Sequence, residues 1–179
     1  AHGRALAVAT AIKRVRPENL VISYQGDGDL AAIGTAESFH AANRGELITI
    51  IFVNNAVYGM TGGQMAPTTI LDQVPTTTPV GRISGQAGHP VRMCEVLAVL
   101  DGTSYLERVA VHKPAAILAT KKAIIKAFQH QMNKTGFSMV EILSPCPTNW
   151  KMDTLQSCKW IDEVMSKQFP IGVVKEVKC

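Results

Sequence analysis

The fold is decided by two stretches of the sequence, LVISYQGDGD at residues 20–29 and LITIIFVNN at residues 47–55. Each stretch begins with a run of aliphatic and β-branched residues and ends in glycine or polar residues, which is the pattern of a strand followed by a turn. The second run is apolar on both faces, as is typical of a central parallel strand that helices cover. We therefore predict strands over residues 20–25 and 47–53.

The rest of the chain continues the alternation of strands and helices. Apolar residues at helical spacing predict a helix over residues 4–15 and a second one over 29–43, with Asp29 as the N-cap of the second. The same patterns predict helices over 91–100, 114–133 and 154–168, strands over 104–111 and 138–143, and a turn over 144–150. Alternating strands and helices indicate an α/β fold of three layers, α/β/α, around a mostly parallel sheet.

A long segment between residues 58 and 89 interrupts this alternation. It is rich in glycine, threonine and proline, and it has no usable periodicity. A connection of roughly 30 residues without regular structure is unusual in a compact domain and is typical of a binding loop or lid. A disordered linker is the alternative.

Composition and charge exclude several classes of function. The chain has 179 residues, of which 46% are hydrophobic, and this is enough for one domain with its own core. Its net charge of +4 is too small and its basic residues are too dispersed to favour nucleic acid. No apolar run reaches the length of a membrane span and no signal peptide is evident, so we expect a soluble cytoplasmic protein. Because the chain enters a helical pattern directly after Ala1, we expect a single domain over 1–179 that is a fragment lacking an upstream segment; removal of an initiator methionine is the alternative.

The four cysteines, Cys94, Cys146, Cys158 and Cys179, show no spacing typical of a metal site. They form neither a CxxC pair nor a zinc-finger pattern with histidine. We expect Cys94 and Cys158 to lie in helices as core or partly buried thiols, and Cys179 to be a thiol of the chain end.

Polar side chains follow the two decisive strands at the point where each strand ends. Asp27 comes after the first strand and Asn55 after the second. The carboxyl ends of neighbouring parallel strands lie about 5 Å apart at the edge where α/β folds bind their ligands, so these two side chains can share one ion. Magnesium prefers hard oxygen ligands, and the Asp27 carboxylate, the Asn55 amide oxygen and the backbone carbonyl of Val57 provide them.

Glycines on either side of Asp27 allow a phosphate group to approach the backbone closely. Gly26 and Gly28 have no side chain to block it, and the turn at Thr61, Gly62 and Gly63 offers further N–H groups as donors to phosphate oxygens. The two strand ends therefore predict a diphosphate held through a metal ion. Two polar turn residues that cap helices are the simplest alternative for Asp27 and Asn55.

A dinucleotide-binding turn is the main rival interpretation. Gly26, Gly28 and Ala31 satisfy the G-x-G-x-x-A fingerprint. However, Asp27 inside the turn would repel a pyrophosphate unless a cation lies between them, and the second strand ends in asparagines where a dinucleotide site needs an acid for the ribose. A non-catalytic Rossmann-like NAD-binding module stays as the alternative function, and an assembly subunit that binds neither ligand is a third.

The motifs resemble those of one enzyme family. GDG at residues 26–28 followed by NN at 54–55 is similar to the metal and diphosphate motif of thiamine-diphosphate enzymes. VYGMTGGQ at residues 57–64 and HGR at 2–4 resemble the 2-oxoacid:ferredoxin oxidoreductase beta subunits in particular. SPCPT at residues 144–148 resembles the segment with one cysteine ligand of a [4Fe-4S] cluster. The resemblance implies the thiamine-diphosphate-binding fold, known as the PP domain.

The resemblance also implies roles for individual residues. Asp27, Asn55 and the Val57 carbonyl would bind magnesium, and Cys146 would be an iron ligand of the full-length subunit only, because this chain lacks the other cluster cysteines. We therefore expect no intact cluster in this chain. The expected contacts to thiamine diphosphate are His2, Gly26, Asp27, Gly28, Asp29, Asn55, Val57, Tyr58, Thr61 and Gly62. The activating glutamate of the family lies on the pyrimidine-binding domain, so no catalytic residue is assigned in this chain.

As a function, the resemblance implies oxidative decarboxylation of a 2-oxo acid to an acyl-CoA with reduction of ferredoxin. The long threonine- and proline-rich loop resembles branched-chain and 2-oxoglutarate members alike, so 3-methyl-2-oxobutanoate and 2-oxoglutarate are both candidate substrates. The implied partners are an alpha subunit with the pyrimidine-binding domain, gamma and ferredoxin-like subunits, ferredoxin, the 2-oxo acid and coenzyme A. We do not expect the chain to be active alone.

Overall fold

Five strands form one sheet in the computed structural model, which describes residues 1–178. They are β1 (Ile22–Gly26), β2 (Thr49–Asn54), β3 (Thr103–Ala110), β4 (Phe137–Leu143) and β5 (Gly172–Glu176). Their order in the sheet is β1-β2-β4-β3-β5. The first four are parallel and β5 pairs antiparallel with β3, which confirms the mostly parallel sheet predicted from the sequence.

Helices occupy the segments between the strands. They are α1 (Ala5–Val15), α2 (Thr35–Asn43), α3 (Ser84–Ala87), α4 (Met93–Ala98), α5 (Pro114–Met132), α6 (Pro147–Trp150), α7 (Thr154–Trp160) and α8 (Ser166–Gln168). The second and the last predicted helices each contain a π-helical segment, at Asp29–Ile33 and Ile161–Met165. The predicted helices are thus confirmed in position, with these irregular turns added. Within residues 1–178 no helix combines the length and hydropathy that a membrane crossing requires.

Side chains on the two faces of the sheet belong to different cores. Ile50 and Phe52 of β2 pack in a core with residues of α1, α2 and α4, where Ala41 and Ala42 let α2 approach closely. Ile51, between them, belongs to a second core with residues of α5. Helices therefore cover both faces, which confirms the three-layer α/β/α arrangement.

Asp29 does not cap the second helix as predicted. The N-cap is Gly28, and no side chain caps this end. The Asp29 carboxylate accepts hydrogen bonds from the Gly3 backbone N–H and, at 3.1 Å, from Gln25 Nε2. The Asp29 carboxylate, predicted as the N-cap of this helix, is therefore bonded to two donors from outside the helix.

The long segment between residues 58 and 89 is organised by the buried side chain of Arg82. Its guanidinium donates to backbone carbonyls on both arms of the segment, those of Ala66, Pro67, Thr69, Ala87, Gly88 and His89. A β-bridge between Tyr58 and Gln64 closes the first turn of the segment. This ordering favours the binding loop over the disordered linker.

Two of the cysteines lie where the sequence predicts. Cys94 is buried in α4, and Cys158 is half-buried in α7. Cys179, expected to be a thiol of the chain end, lies outside the described residues. The strand β5 is missing from the sequence prediction because GVVKE is a brief, half-buried edge strand without a continuous apolar run.

Candidate metal and diphosphate site

Strands β1 and β2 end together, and this brings the two predicted ligands to one edge. Gly26 lies opposite Val53 in the parallel register, so Asp27 and Asn55 follow the ends of adjacent strands. Both residues line one cleft of about 1010 Å³. The adjacency predicted from the strand pattern is therefore observed.

Most of the residues expected to contact the cofactor line this cleft. They are His2, Gly26, Asp27, Gly28, Asp29, Asn55, Tyr58, Thr61 and Gly62, with Cys146 beside them. Val57 is the exception among the predicted residues. Its side chain is buried in an apolar cluster that includes Ile70 and Trp150. The group of Val57 predicted to bind magnesium is its backbone carbonyl, and this role stays a prediction.

Asp27 is a buried acid whose hydrogen-bond donors are neutral. Its side chain accepts from Thr68 Oγ1 at 2.8 Å and from the Gly28 N–H at 2.9 Å, and the residue is only 3% exposed. Burial raises the pKa of Asp27 to about 6, although these hydrogen bonds act to lower it. Within residues 1–178, no lysine, arginine or histidine forms an ion pair with Asp27. A buried carboxylate without a cationic side chain is chemically suited to a metal ion.

The two asparagines after β2 point in different directions. Asn54 is fully buried, and its Nδ2 donates to Glu141 at 2.7 Å. Asn55 faces the cleft, and its Oδ1 accepts from the Val57 N–H at 3.3 Å. An amide oxygen has two lone pairs, so Asn55 Oδ1 keeps one for a metal ion. The carbonyl of Asn55 is held by Trp150 Nε1 at 3.0 Å.

Gly28 lies directly under the ring of Tyr58. A Cβ atom at Gly28 would come within 2.1 Å of Tyr58 Cε1, so only glycine fits below this ring. Burial, and to a lesser degree the charge of Asp27, raise the pKa of the Tyr58 phenol above its ordinary value. The ring and the glycine together form one wall of the cleft.

The N-terminal HGR motif is fastened to the rim of the cleft through Asp29. The Asp29 carboxylate accepts a hydrogen bond from the Gly3 N–H, and His2 Nδ1 lies 3.5 Å from the same carboxylate. Arg4 forms an ion pair of 2.8 Å with Glu37 of α2. His2 is therefore placed at the cleft without a bond to any of the predicted metal ligands.

Cys146 also lines this cleft. Asn149 Nδ2 is 3.1 Å from its sulfur and also donates to the Gly59 carbonyl at 3.0 Å. In the part of the chain that the structure describes, no three His, Cys, Asp or Glu side chains converge as a metal-binding group. The role of Cys146 as an iron ligand stays a prediction.

Several residues of the site are missing from the sequence prediction, and Tyr24, Asn149 and Thr68 are the most informative of them. Tyr24 and Asn149 line the cleft, and Thr68 holds Asp27. Tyr24 lies on β1 just before the glycine turn, and Asn149 directly follows the quoted SPCPT motif, so position alone could have suggested both. Thr68 lies in an aperiodic loop and carries no such signal.

Comparisons with known proteins agree with this geometry. Residues 1–142 match the family "Thiamine pyrophosphate enzyme, C-terminal TPP binding domain". The chain is 49% identical over 171 residues to ketoisovalerate oxidoreductase subunit VorA of Methanothermobacter thermautotrophicus, with 96% of this chain and 36% of the relative covered. It is 40% identical over 162 residues to 2-oxoglutarate synthase subunit KorB of Archaeoglobus fulgidus, with 90% and 56% covered.

A solved structure shows the same fold. The 2-oxoglutarate:ferredoxin oxidoreductase from Magnetococcus marinus, with 2-oxoglutarate, coenzyme A and succinyl-CoA bound, matches with a TM-score of 0.77 and 26% identity over 99% of this chain and 64% of that chain. The chain spans 36% of VorA and 56% of KorB. The resemblance inferred from the sequence motifs is confirmed by these matches.

Proposed function

Because this chain belongs to the thiamine pyrophosphate enzymes through its TPP-binding domain, we propose that it is the diphosphate-binding domain of a 2-oxoacid:ferredoxin oxidoreductase beta subunit. The observation that carries the proposal is the shared cleft of Asp27 and Asn55 at the ends of adjacent strands. One acid and one amide, with neutral donors around the acid, make a donor set that suits magnesium. Relatives named as subunits of such enzymes support the same function.

Within this site each group has a distinct task. Asp27 and Asn55, with the Val57 carbonyl, would hold the magnesium ion, whose charge would offset that of the diphosphate next to the acid. Gly26, with open space beside it, would let the diphosphate approach the backbone, whereas Gly28 makes room for the Tyr58 ring. His2, Asp29, Tyr58, Thr61 and Gly62 form the walls of the cleft.

Thiamine diphosphate supplies the carbanion chemistry that decarboxylation of a 2-oxo acid requires, and the protein supplies binding and orientation. The catalytic glutamate comes from the pyrimidine-binding domain of the alpha subunit, which meets this chain across the cleft. Gamma and ferredoxin-like subunits, ferredoxin and coenzyme A complete the reaction. Cys146 would be one ligand of a [4Fe-4S] cluster in the full-length subunit, and we do not expect the domain to be active alone.

The substrate is a 2-oxo acid, with 3-methyl-2-oxobutanoate and 2-oxoglutarate as the two candidates. The names of VorA and KorB support one each. Among the described residues that line the cleft, none is a lysine or an arginine. A cation from another part of the enzyme would therefore have to bind the second carboxylate of 2-oxoglutarate.

The NAD-binding alternative is not favoured. The family match is to a thiamine pyrophosphate domain, and the buried Asp27 carboxylate occupies the turn where a dinucleotide would place its pyrophosphate. Within the G-x-G-x-x-A match, the close approach of Tyr58 explains the glycine at position 28 as readily as a dinucleotide does.

Calorimetric titration of thiamine diphosphate in magnesium buffer tests the proposal. The wild-type chain should bind, and Asp27→Asn should lose binding because it removes the charge without changing the shape of the side chain. Asp101→Asn is the matched control, since Asp101 is exposed before the amino end of β3, at the opposite edge of the sheet. Equal binding by wild type and Asp27→Asn, or binding of NADH in place of thiamine diphosphate, would refute the assignment.

A further inference from the structure

A buried charged pair joins strands β3 and β4, and β4 is the neighbour of β2 in the sheet. Arg108 of β3 and Glu141 of β4 are paired in the parallel register, and both are 0% exposed. Arg108 Nε donates to Glu141 Oε2 at 2.9 Å. The two terminal nitrogens of Arg108 donate to the Glu95 carboxylate of α4 at 3.0 and 2.6 Å. Burying such a pair is costly unless every hydrogen-bonding atom has a partner, so a network of this kind requires a reason.

The second oxygen of Glu141 connects this pair to the end of β2. Glu141 Oε1 accepts from Asn54 Nδ2 at 2.7 Å. Burial raises the pKa of the nearby Cys94 thiol well above its ordinary value, so this thiol stays protonated. Donors thus hold both oxygens of the Glu141 carboxylate.

The side chain of Asn54 also bonds to the backbone of the turn that follows β2. Its Oδ1 accepts from the N–H of Ala56 at 3.1 Å. Ala56 has a φ of 59°, which is left-handed and unfavourable for a residue with a Cβ atom. The Ala56 carbonyl is held in turn by the Thr69 hydroxyl at 2.6 Å. Asn55 and Val57, on either side of Ala56, are the residues whose oxygens face the metal in the proposed function.

We propose that Asn54 is a positioning residue for the magnesium site, and that the buried pair of Arg108 and Glu141 fixes its side chain so that Ala56 adopts the left-handed turn. The inference rests on the proposed function for the identity of the ion. It assigns a task to the first asparagine of the NN pair, which does not line the cleft. It also gives a reason for the buried pair of Arg108 and Glu141.

Binding of Mn²⁺ in the presence of thiamine diphosphate, followed by the electron paramagnetic resonance signal of free Mn²⁺, tests this role. Asn54→Ala should weaken Mn²⁺ binding roughly 10- to 100-fold, the usual effect of removing a group that orients a metal ligand. Ala56→Gly in the Asn54→Ala background should restore part of the affinity, because glycine adopts the left-handed turn without help. A merely structural role of Asn54 predicts no such rescue.

Gln131→Ala is the matched control for the loss of a buried amide. Gln131 is 2% exposed and bonds Val21 and Thr49 near the amino ends of β1 and β2. It should lower the unfolding temperature and leave Mn²⁺ affinity unchanged. If Asn54→Ala does not fold, Asn54→Val replaces it, because valine fills more of the space and also loses the bonds to Glu141 and to the Ala56 N–H.

Amide hydrogen exchange of the chain without ligand gives a second measurement that does not depend on the ion. Asn54→Ala should speed exchange of the Ala56 amide well beyond the change at Val21, and Gln131→Ala should do the reverse. Unchanged Ala56 exchange would overturn the inference, as would wild-type Mn²⁺ affinity in Asn54→Ala or the lack of any rescue by Ala56→Gly. A wild-type chain that binds no Mn²⁺ would refute the proposed function, and hydrogen exchange alone would then decide whether Asn54 sets the turn.

Discussion

The Thr68 hydroxyl donates a hydrogen bond of 2.8 Å to Asp27 Oδ2, across 41 residues of sequence. The other oxygen of the carboxylate accepts from the Gly28 N–H. Asp27 is therefore oriented from two sides, by its own turn and by the long loop. The loop thus contributes to the site through a bond to the proposed metal ligand as well as through residues that line the cleft.

Removing the Thr68 hydroxyl should weaken cation binding. In Thr68→Val the ionised Asp27 loses one donor, so its pKa should rise by about one unit, and Mg²⁺ affinity at pH 7 should fall several-fold. Titration of Mg²⁺ with thiamine diphosphate at several pH values measures both effects. Thr49→Val is the matched control, because Thr49 is a buried threonine at the start of β2, away from the cleft. Equal Mg²⁺ affinities in the two variants would contradict this account.

The raised pKa of Asp27 predicts a pH dependence of stability. Its pKa is about 6 in the folded chain against an ordinary value of 3.8, because burial disfavours the charged form. Between these values the folded chain holds a proton that the unfolded chain has lost, so stability falls as the pH rises through this window. Without divalent cations, the wild type should lose about 2 kcal/mol relative to Asp27→Asn between pH 4 and pH 7. Denaturant unfolding at both pH values measures the difference, and parallel pH profiles of the two proteins would count against it.

Gly28 should not tolerate a side chain while Tyr58 is present. The φ of Gly28 is −68°, so the backbone alone would accept alanine, but the new Cβ atom would collide with the Tyr58 ring. Gly28→Ala should cost about 1–3 kcal/mol of unfolding free energy. In a Tyr58→Ala background the same substitution should cost almost nothing. Gly26→Ala is the control, since a Cβ atom there would meet nothing within 4 Å beyond its chain neighbours; a cost that persists without the Tyr58 ring would show another cause.

Arg82 should control the order of the long loop. Lysine keeps the charge but cannot reproduce the planar fork that reaches carbonyls on both arms. Arg82→Lys should therefore cost roughly 2 kcal/mol of local stability and speed thermolysin cleavage between residues 66 and 89. Arg16→Lys, at an exposed turn, is the matched control. Identical cleavage patterns would mean that other contacts order the loop.

The strand ends could be predicted because they depend on local pattern and on one rule of topology. The run before Asn55 is continuous and apolar, the run before Asp27 begins with three aliphatic residues, and adjacent parallel strands deliver their ends to one edge. The observed cleft agrees with that reasoning for most of the predicted residues. Here the sequence pattern and the tertiary structure lead to the same conclusion.

The contacts that the sequence could not predict are long-range. Thr68 and Arg82 act from an aperiodic loop, and their partners depend on where that loop lies in space. The predicted cap at Asp29 was wrong because the Gly3 N–H, 26 residues away, takes the carboxylate. Asn54 could not be distinguished from Asn55 by type, since only burial beside Glu141 separates their roles.

Diffraction from crystals grown with Mn²⁺ and thiamine diphosphate, recorded for the anomalous signal of manganese, tests the central claim most directly. The account predicts one peak at about 2.1 Å from both an Asp27 carboxylate oxygen and Asn55 Oδ1, with diphosphate oxygens completing the coordination. A peak elsewhere in the cleft, or a bound diphosphate with Asp27 and Asn55 turned away from it, would contradict the account.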